Sequence, residues 1–309
     1  MRTYTRSTRF AIVQIFALIL CIAVASAAAI FARASSPSAP PNLPLNATRH
    51  AASDLEVGGE LAGLPAGSTR YIPLDALLAL PLETYTVSDD TNFVANTKIS
   101  GVPLESLARM FGAASASDLV VAICDDKYRA NYPRAYMAAH HPLLVLRVNG
   151  EPPSRWPKDP ETHRQNMGPY MISHPKFTPS FKVFSHFEEA QIPWGVVRLE
   201  FRDEKAVFGA IAPRGPRAAD APVQAGYRIA QQNCFRCHNA GAEGGQKSGR
   251  PWLVLAAWAS SAPDFFADYV RDPRKRNAHT EMPGNPGYDT PTIAALRDYF
   301  ATFVSAENP

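Results

Sequence analysis

The chain has 309 residues, 46% of them hydrophobic, and a net charge of +3. This length has room for about two domains of ordinary size, and the hydrophobic content is sufficient for folded cores. The charge is small and no basic stripe with interleaved aromatic residues occurs, so nucleic-acid binding is excluded as the expected function.

Residues 1–34 have the pattern of an export signal. Arg2, Arg6 and Arg9 precede an apolar run from Phe10 to Ala32. The run is long enough for a membrane-spanning helix, which needs about 20 residues, but Ala-x-Ala cleavage patterns also occur. A cleaved signal peptide and an uncleaved hydrophobic helix both remain open. Either one predicts a periplasmic protein, held at the inner membrane if the helix is retained.

The next segments predict a spacer and an α+β domain. Residues 35–53 are rich in Pro and Ser, which is typical of an extended spacer. Within residues 54–203, short apolar runs at 119–124 and 143–148 indicate buried strands. Apolar residues at helical spacing within 102–111 indicate an amphipathic helix.

The composition changes after a last predicted strand at 194–201. Residues 204–221 are rich in Ala, Pro and Arg and predict an interdomain linker. Residues 222–309 have a helical pattern and predict an all-α domain. Its clearest element is a final helix with Pro291 in the first turn, after Asp289 and Thr290.

The stretch NCFRCHN contains Cys234, Cys237 and His238. A zinc site needs four ligands, and no cysteine follows Cys237. A redox dithiol needs a βαβ setting, and a disulfide between these two cysteines would close a very small loop. C-x-x-C-H is the signature of covalent haem attachment, which uses all three residues and makes the histidine the proximal ligand. We therefore expect one covalent haem c.

Met282 is the expected second axial ligand of this haem. It is the sole methionine after His238, and methionine ligation raises the haem potential. His279 lies close by and is a rival ligand. A basic run precedes both residues and predicts either a docking patch for an acidic redox partner protein or a solvated loop. The run consists of Arg271, Arg274, Lys275 and Arg276.

Residues 222–304 resemble a class I cytochrome c domain. The resemblance rests on AGYRIAQQNCFRCHN, GRPWL, YVRDPRKRNAHTEMPG and LRDYFATF. It implies that the carbonyl of Pro251 accepts a hydrogen bond from His238. It also implies that Gly226 and Tyr227 of the first helix meet Leu296 and Tyr299 of the last one. The haem is expected to be buried by the Met282 loop and by aromatic residues, namely Trp252, Phe265 and Phe266.

Residues 54–203 resemble the oxidoreductase molybdopterin-binding domain of the sulfite oxidase type. The resemblance rests on ISGVPLESLARMF, LVVAICDDKYRANYP, HPLLVLRVNGEPP and GPYMI. The cysteine that ligates molybdenum in that family is missing here, and Ser88 or Asp89 would have to replace it. Cys124 comes later, in a predicted strand, and is expected to be a buried apolar residue. Molybdopterin is therefore not expected.

Two further groups of polar or soft side chains stand out in this region. Residues 125–129 predict a polar turn after a strand; a solvated turn is the leading interpretation, and a turn that lines a pocket is the alternative. The second group would suit a copper ion or a haem, but it equally fits unrelated loop and core positions. Its members are His140, His141, Met167, Met171, His174 and His186.

The predicted fold is therefore multidomain: a hydrophobic N-terminal helix, an α+β molybdopterin-binding-like domain and an all-α cytochrome c domain. The leading functional interpretation is an exported c-type cytochrome that transfers single electrons, with the N-terminal domain as scaffold or docking module. A haem-containing oxidoreductase subunit and a haem-based redox sensor remain as alternatives.

Overall fold

The computed structural model describes residues 43–87, 90, 92–94, 96–113, 117–156, 167–175 and 191–304. The predicted signal or anchor at 1–34 lies outside this set, as do Ser88, Asp89 and His186. Among the helices that are described, none has the length and hydropathy needed to cross a bilayer.

Nine of the strands in the described ranges, built from alternating or continuous apolar residues, form one mixed sheet. The strands are β1 (Leu55–Gly59), β2 (Arg70–Ile72), β3 (Glu83–Val87), β4 (Thr97–Pro103), β5 (Leu119–Cys124), β6 (Arg129–Pro133), β7 (Leu143–Val148), β8 (Tyr170–Ser173) and β9 (Trp194–Arg202). The predicted strands at 119–124, 143–148 and 194–201 are confirmed. We call residues 43–202 the sheet part.

The order of the main path through the sheet is β2-β1-β9-β8-β7-β4-β3, and β5 joins β9 to β6. β1 and β9 are parallel, with Val57 opposite Leu199. The other pairings are antiparallel. β9 thus connects the first strand of the chain to the β5–β6 hairpin.

The helices of the sheet part are short and lie between strands. They are α1 (Leu74–Leu78), α2 (Leu104–Phe111), α3 (Arg134–His140) and a 3-10 turn at Pro153–Arg155. α2 lies within the predicted helix and buries its apolar face, including Leu104, Leu107 and Phe111. A turn follows β7, where Asn149 and Gly150 both have positive φ.

After β9 the chain is mainly helical. The elements are α4 (Glu204–Gly209), α5 (Ala221–Gln232), β10 (Asn239–Ala240), β11 (Glu243–Gly244), α6 (Trp252–Ser261), α7 (Pro263–Arg271), α8 (Pro273–Arg276) and α9 (Thr290–Ala301). We call residues 221–304 the helical part. The final helix is confirmed, with Pro291 in its first turn and the Asp289 side chain accepting from the Thr292 amide.

α5 crosses α9 at a glycine, as expected. A Cβ atom on Gly226 would lie 2.1 Å from the Ala295 carbonyl oxygen, so the helices approach closely only because this side chain is absent. Next to it, the rings of Tyr227 and Tyr299 stack with centroids 5.6 Å apart.

β5 belongs to two apolar cores. Val120, Ala122 and Cys124 face the core of the sheet part. Leu119 and Val121 face the opposite way, into the core of the helical part. A strand buried on both faces has a continuous apolar sequence, which accounts for the run LVVAIC.

The structure does not divide the described residues at the predicted domain boundary. They all belong to one compact unit that begins at Leu43. The predicted linker at 204–221 contains α4, whose Val207 and Phe208 are buried in the core of the helical part together with Ile211. The predicted spacer at 35–53 likewise joins the fold at its end, where Asn46 exchanges backbone hydrogen bonds of 3.0 and 2.9 Å with Tyr71.

Candidate functional site

Four of the five expected cofactor-binding residues line one cavity of about 840 Å³. Cys234, Cys237, His238 and Met282 all line it. Cavities of about 300–1,000 Å³ are typical of sites for small molecules and cofactors. Met282 and the C-x-x-C-H motif, which are 44 residues apart in the chain, therefore line the same cavity.

The C-x-x-C-H motif, Cys234–His238, continues directly from the end of α5. The amides of Cys234 and Phe235 both donate to the Ala230 carbonyl, at 3.0 and 2.9 Å, and the His238 amide donates to the Cys234 carbonyl at 3.0 Å. Phe235 is fully buried and anchors the motif in the core. We call these five residues the cysteine segment.

Glycines let the β10–β11 turn fold back against the cysteine segment. Gly244 has φ +85°, and a Cβ atom there would lie 2.6 Å from the His238 carbonyl oxygen. A Cβ atom on Gly245 would lie 1.7 Å from the carbonyl oxygen of Arg236. No other residue type fits such close backbone approaches without displacing the cysteine segment.

The two cysteines of the segment carry free thiols, each partly buried. Burial raises the pKa of Cys237, while the nearby Lys247 and Arg236 oppose that rise. Cys124 is also a free thiol and is buried in β5, as expected from its strand. Burial, with help from Asp126 and Asp125, raises its pKa well above the ordinary value.

His238 is oriented by a backbone carbonyl. Its Nδ1 lies 2.7 Å from the Arg250 carbonyl oxygen, and because a carbonyl only accepts, Nδ1 carries the hydrogen. Burial lowers the pKa of His238, so the ring is neutral at neutral pH. Nε2 is therefore the nitrogen with a lone pair, as a metal ligand requires.

The prediction that Pro251 supplies this carbonyl is wrong. The Pro251 oxygen accepts the Val254 amide at 2.9 Å, in the first turn of α6, and is thus already engaged. Pro251 itself is exposed, immediately before the helix. The residue before it, Arg250, provides the acceptor instead.

Met282 and its rival His279 differ in their surroundings. Met282 is partly buried, packs against the core of the helical part and lines the cavity. His279 also lines the cavity, but its side chain is exposed. The packing favours Met282 as the residue that closes this side of the site.

The apolar wall differs from the expected one. Phe266 lines the cavity, but Trp252 lies deeper in the core against Phe235, and Phe265 packs outside against Trp258. Further apolar and aromatic lining comes from Leu255, Trp258, Tyr269, Val270, Pro283, Tyr288 and Phe300. Spacing placed aromatic residues in the correct helices but not on the correct faces.

Three cations line the cavity that the sequence did not single out: Arg236, Lys247 and Arg250. The Arg250 guanidinium lies over the rings of Trp258 and Tyr269, 5.4 and 5.8 Å from their centroids. These residues are near the cysteine segment in sequence, but nothing in their spacing indicated which way they face. Tyr128, from the turn at 125–129 in the sheet part, also lines the cavity, so this turn is not wholly solvated.

The predicted basic run is partly engaged within the helical part. Arg276 forms an ion pair with Asp268, and the Arg271 Nε donates to the Tyr288 carbonyl at 2.9 Å. Arg274 and Lys275 are exposed. The cationic surface beside the Met282 loop is therefore smaller than the sequence suggested.

The His and Met residues of the sheet part do not gather at one point. His140 and His174 both contact the Tyr136 ring, with centroids 4.7 and 5.6 Å away. Met167 and Met171 belong to another apolar cluster, beside Trp156. Within the described ranges, no three His, Cys, Asp or Glu side chains are grouped so that they would hold a metal ion.

No family model matches this chain, and no curated protein matches it. A solved structure, the sulfane dehydrogenase SoxCD from Paracoccus pantotrophus, aligns with 14% sequence identity and a TM-score of 0.32. The alignment covers 56% of this chain and 45% of that one, less than half its length. A TM-score this low does not establish a shared fold.

Proposed function

We propose that the protein is an exported c-type cytochrome that transfers single electrons. The observation that carries the proposal is the convergence of Cys234, Cys237, His238 and Met282 on one cavity. Two thiols, an imidazole and a thioether make up the donor set for a covalently attached haem with two axial protein ligands. Periplasmic location, with inner-membrane attachment if residues 1–34 are retained, follows from the export signal.

The residues of the cavity fit this group. Cys234 and Cys237 would each add a thiol across a vinyl group, so that sulfur bonds to one carbon and hydrogen goes to the other. His238, neutral and held by the Arg250 carbonyl, would ligate the iron through Nε2. The two carboxylates of the haem would find positive charges in the cavity lining, on Lys247, Arg236 and Arg250.

Bound haem supplies one-electron redox chemistry. His238 and Met282 would fill both axial positions and leave none for a substrate, which favours a carrier over a haem enzyme. The apolar wall, with Phe266 and Phe300, excludes water and favours the less charged ferrous state. The chain's own contribution is to attach, orient and shield the group.

The partner that we propose is an acidic redox protein. Arg274 and Lys275 are exposed, a few residues before Met282 in the chain. Exposed cations steer an oppositely charged partner at low ionic strength and fix its orientation. In this proposal the sheet part serves as a scaffold without molybdopterin.

The test is the spectrum of the purified protein and two variants. Wild type should keep its pigment on denaturing electrophoresis, because the haem is covalent. Met282→Ala should keep the pigment but lose the weak red-region band of ferric His/Met haem. His279→Ala is the matched control from the same loop and should keep both.

A colourless wild-type protein from a host able to attach haem would overturn the proposal. Absence of the band from wild type, together with a spectrum that changes in His279→Ala and not in Met282→Ala, would instead assign the second ligand to the histidine. Elemental analysis distinguishes a plain carrier from an enzyme subunit. Stoichiometric molybdenum in the purified protein would contradict the carrier assignment.

A further inference from the structure

We propose that the sheet part supplies one wall of the cofactor site, and that Tyr128 is the positioning residue that closes this wall against water. The inference rests on the proposed function, because it assigns to Tyr128 an influence on the redox potential of the haem proposed for this site. Among the described residues that line the cavity, all but Tyr128 come from residue 233 onward.

Tyr128 is held by a tight turn between β5 and β6. We call residues 124–129 the covering hairpin. The Cys124 amide donates to the Tyr128 carbonyl at 2.9 Å, and the Tyr128 amide donates to the Asp126 carboxylate at 2.9 Å. Lys127 has φ +70°, a left-handed conformation that a lysine adopts only where the surroundings impose it.

The covering hairpin is bonded to the chain between the two cysteines and again after them. The Arg129 amide donates to the Arg236 carbonyl at 2.9 Å, between Cys234 and Cys237. The Gln246 amide donates to the Lys127 carbonyl at 3.1 Å. Next to it, the Lys247 Nζ lies 2.5 Å from the Asp126 carboxylate. These bonds fix the hairpin against the cysteine segment.

Farther from the cavity, a second set of contacts holds the same surfaces together. Glu243, in β11, pairs with Arg202 of β9 and lies 3.6 Å from Arg129 of β6. All three side chains are less than a quarter exposed. Partly buried ion pairs of this kind are screened less by salt than surface pairs. The wall is therefore part of the folded structure at ordinary ionic strength.

The Tyr128 side chain suits a water-excluding wall. Its ring packs against the core of the sheet part as well as lining the cavity. Burial raises the pKa of Tyr128 to about 12, although Arg236 opposes the rise, so the phenol is neutral at physiological pH. A neutral ring beside Cys237 keeps water from that side of the site, and low solvent access favours the ferrous state.

The test is the midpoint potential of the full-length, haem-loaded protein and its variants. Tyr128→Ala should raise the ferric-to-ferrous ratio at a given potential about tenfold, a shift of ~59 mV downward for one electron. Tyr128→Phe keeps the ring and should stay near the wild-type potential. Tyr85→Ala is the control, because Tyr85 lies on β3, at the end of the sheet path, and does not line the cavity.

Pigment staining and far-ultraviolet circular dichroism accompany each measurement. Equal potentials for Tyr128→Ala and Tyr85→Ala would overturn the wall, as would an equal fall in Tyr128→Phe and Tyr128→Ala. If the alanine variant does not fold, Tyr128→Leu replaces it and should shift the potential in the same direction; no shift there overturns the wall too. An unstained wild type would instead refute the proposed function itself.

Discussion

His174 is a histidine enclosed in the sheet part, only 1% exposed, with its Nε2 3.0 Å from the Tyr136 hydroxyl. Burial lowers its pKa to about 3, and the charge of His140 adds to the effect. In the unfolded chain a histidine titrates near 6.5. Between these two values the unfolded chain binds a proton that the folded chain does not.

The free energy of unfolding should therefore fall as the pH falls from about 6.5 towards 3, by up to about 1.4 kcal/mol per pH unit from this residue. His174→Gln should remove that part of the slope. Urea unfolding of wild type and variant at several pH values between 4 and 7 measures the difference. His50→Gln, at an exposed histidine, is the control. Parallel pH profiles for wild type and His174→Gln would contradict the assignment.

His238 shows how far the surroundings of a single residue were predictable. The C-x-x-C-H spacing predicts that Cys234, Cys237 and His238 act together, and all three line one cavity. The hydrogen-bond acceptor was placed one residue too late, at Pro251. The Pro251 carbonyl accepts a hydrogen bond in the first turn of α6. This bond depends on backbone angles that the residue types do not reveal.

At the scale of elements, the close crossing of α5 and α9 stabilises the helical part. Gly226→Ala would place a Cβ atom 2.1 Å from the Ala295 oxygen and 2.7 Å from the Tyr299 Cβ. Both neighbours are rigid, so the helices must separate. We expect a loss of about 1–3 kcal/mol in the free energy of unfolding, the usual range for overpacking.

Gly209→Ala is the matched control, at the end of α4, where an added Cβ atom would meet nothing within 4 Å. It should be neutral or stabilise by about 0.4–1 kcal/mol through the unfolded chain. Urea unfolding measures both variants. Equal stabilities would show that the crossing adapts to an added methyl group.

Strand β5 marks the limit of prediction from pattern. Its apolar run indicated burial on both faces, and the strand was placed correctly. What covers its second face was not predictable, because the covering residues lie about a hundred positions later, in a segment whose Pro and Ala content suggested a linker. The apolar residues Val207, Phe208 and Ile211 were present in that segment, at helical spacing.

At the scale of the whole molecule, β5 of the sheet part contributes Leu119 and Val121 to the core of the helical part. We therefore expect the sheet part and the helical part to unfold together. Phe208 is 4% exposed, and its ring lies 6.2 Å from that of Phe235. Its carbonyl also accepts the Tyr227 hydroxyl at 2.9 Å. Phe208 thus touches the helix that leads into the cysteine segment.

Phe208→Ala should cost about 3–5 kcal/mol, the range for a buried phenylalanine. Because the core is shared, melting followed by haem absorbance and by far-ultraviolet circular dichroism should shift together. Leu253→Ala, at a residue 54% exposed, should leave both melts unchanged. Two separate transitions in wild type would show that the parts are independent.

Because β5 is buried on both faces, the protein is hard to divide into two fragments that fold separately. A fragment that ends before α4 exposes Leu119 and Val121 to solvent. A fragment that starts at α5 lacks these two residues and α4, which cover the apolar core of the helical part. Each fragment would then expose a contiguous apolar surface, and such surfaces promote aggregation. Fusing the helical part to another protein therefore requires redesign of that surface first.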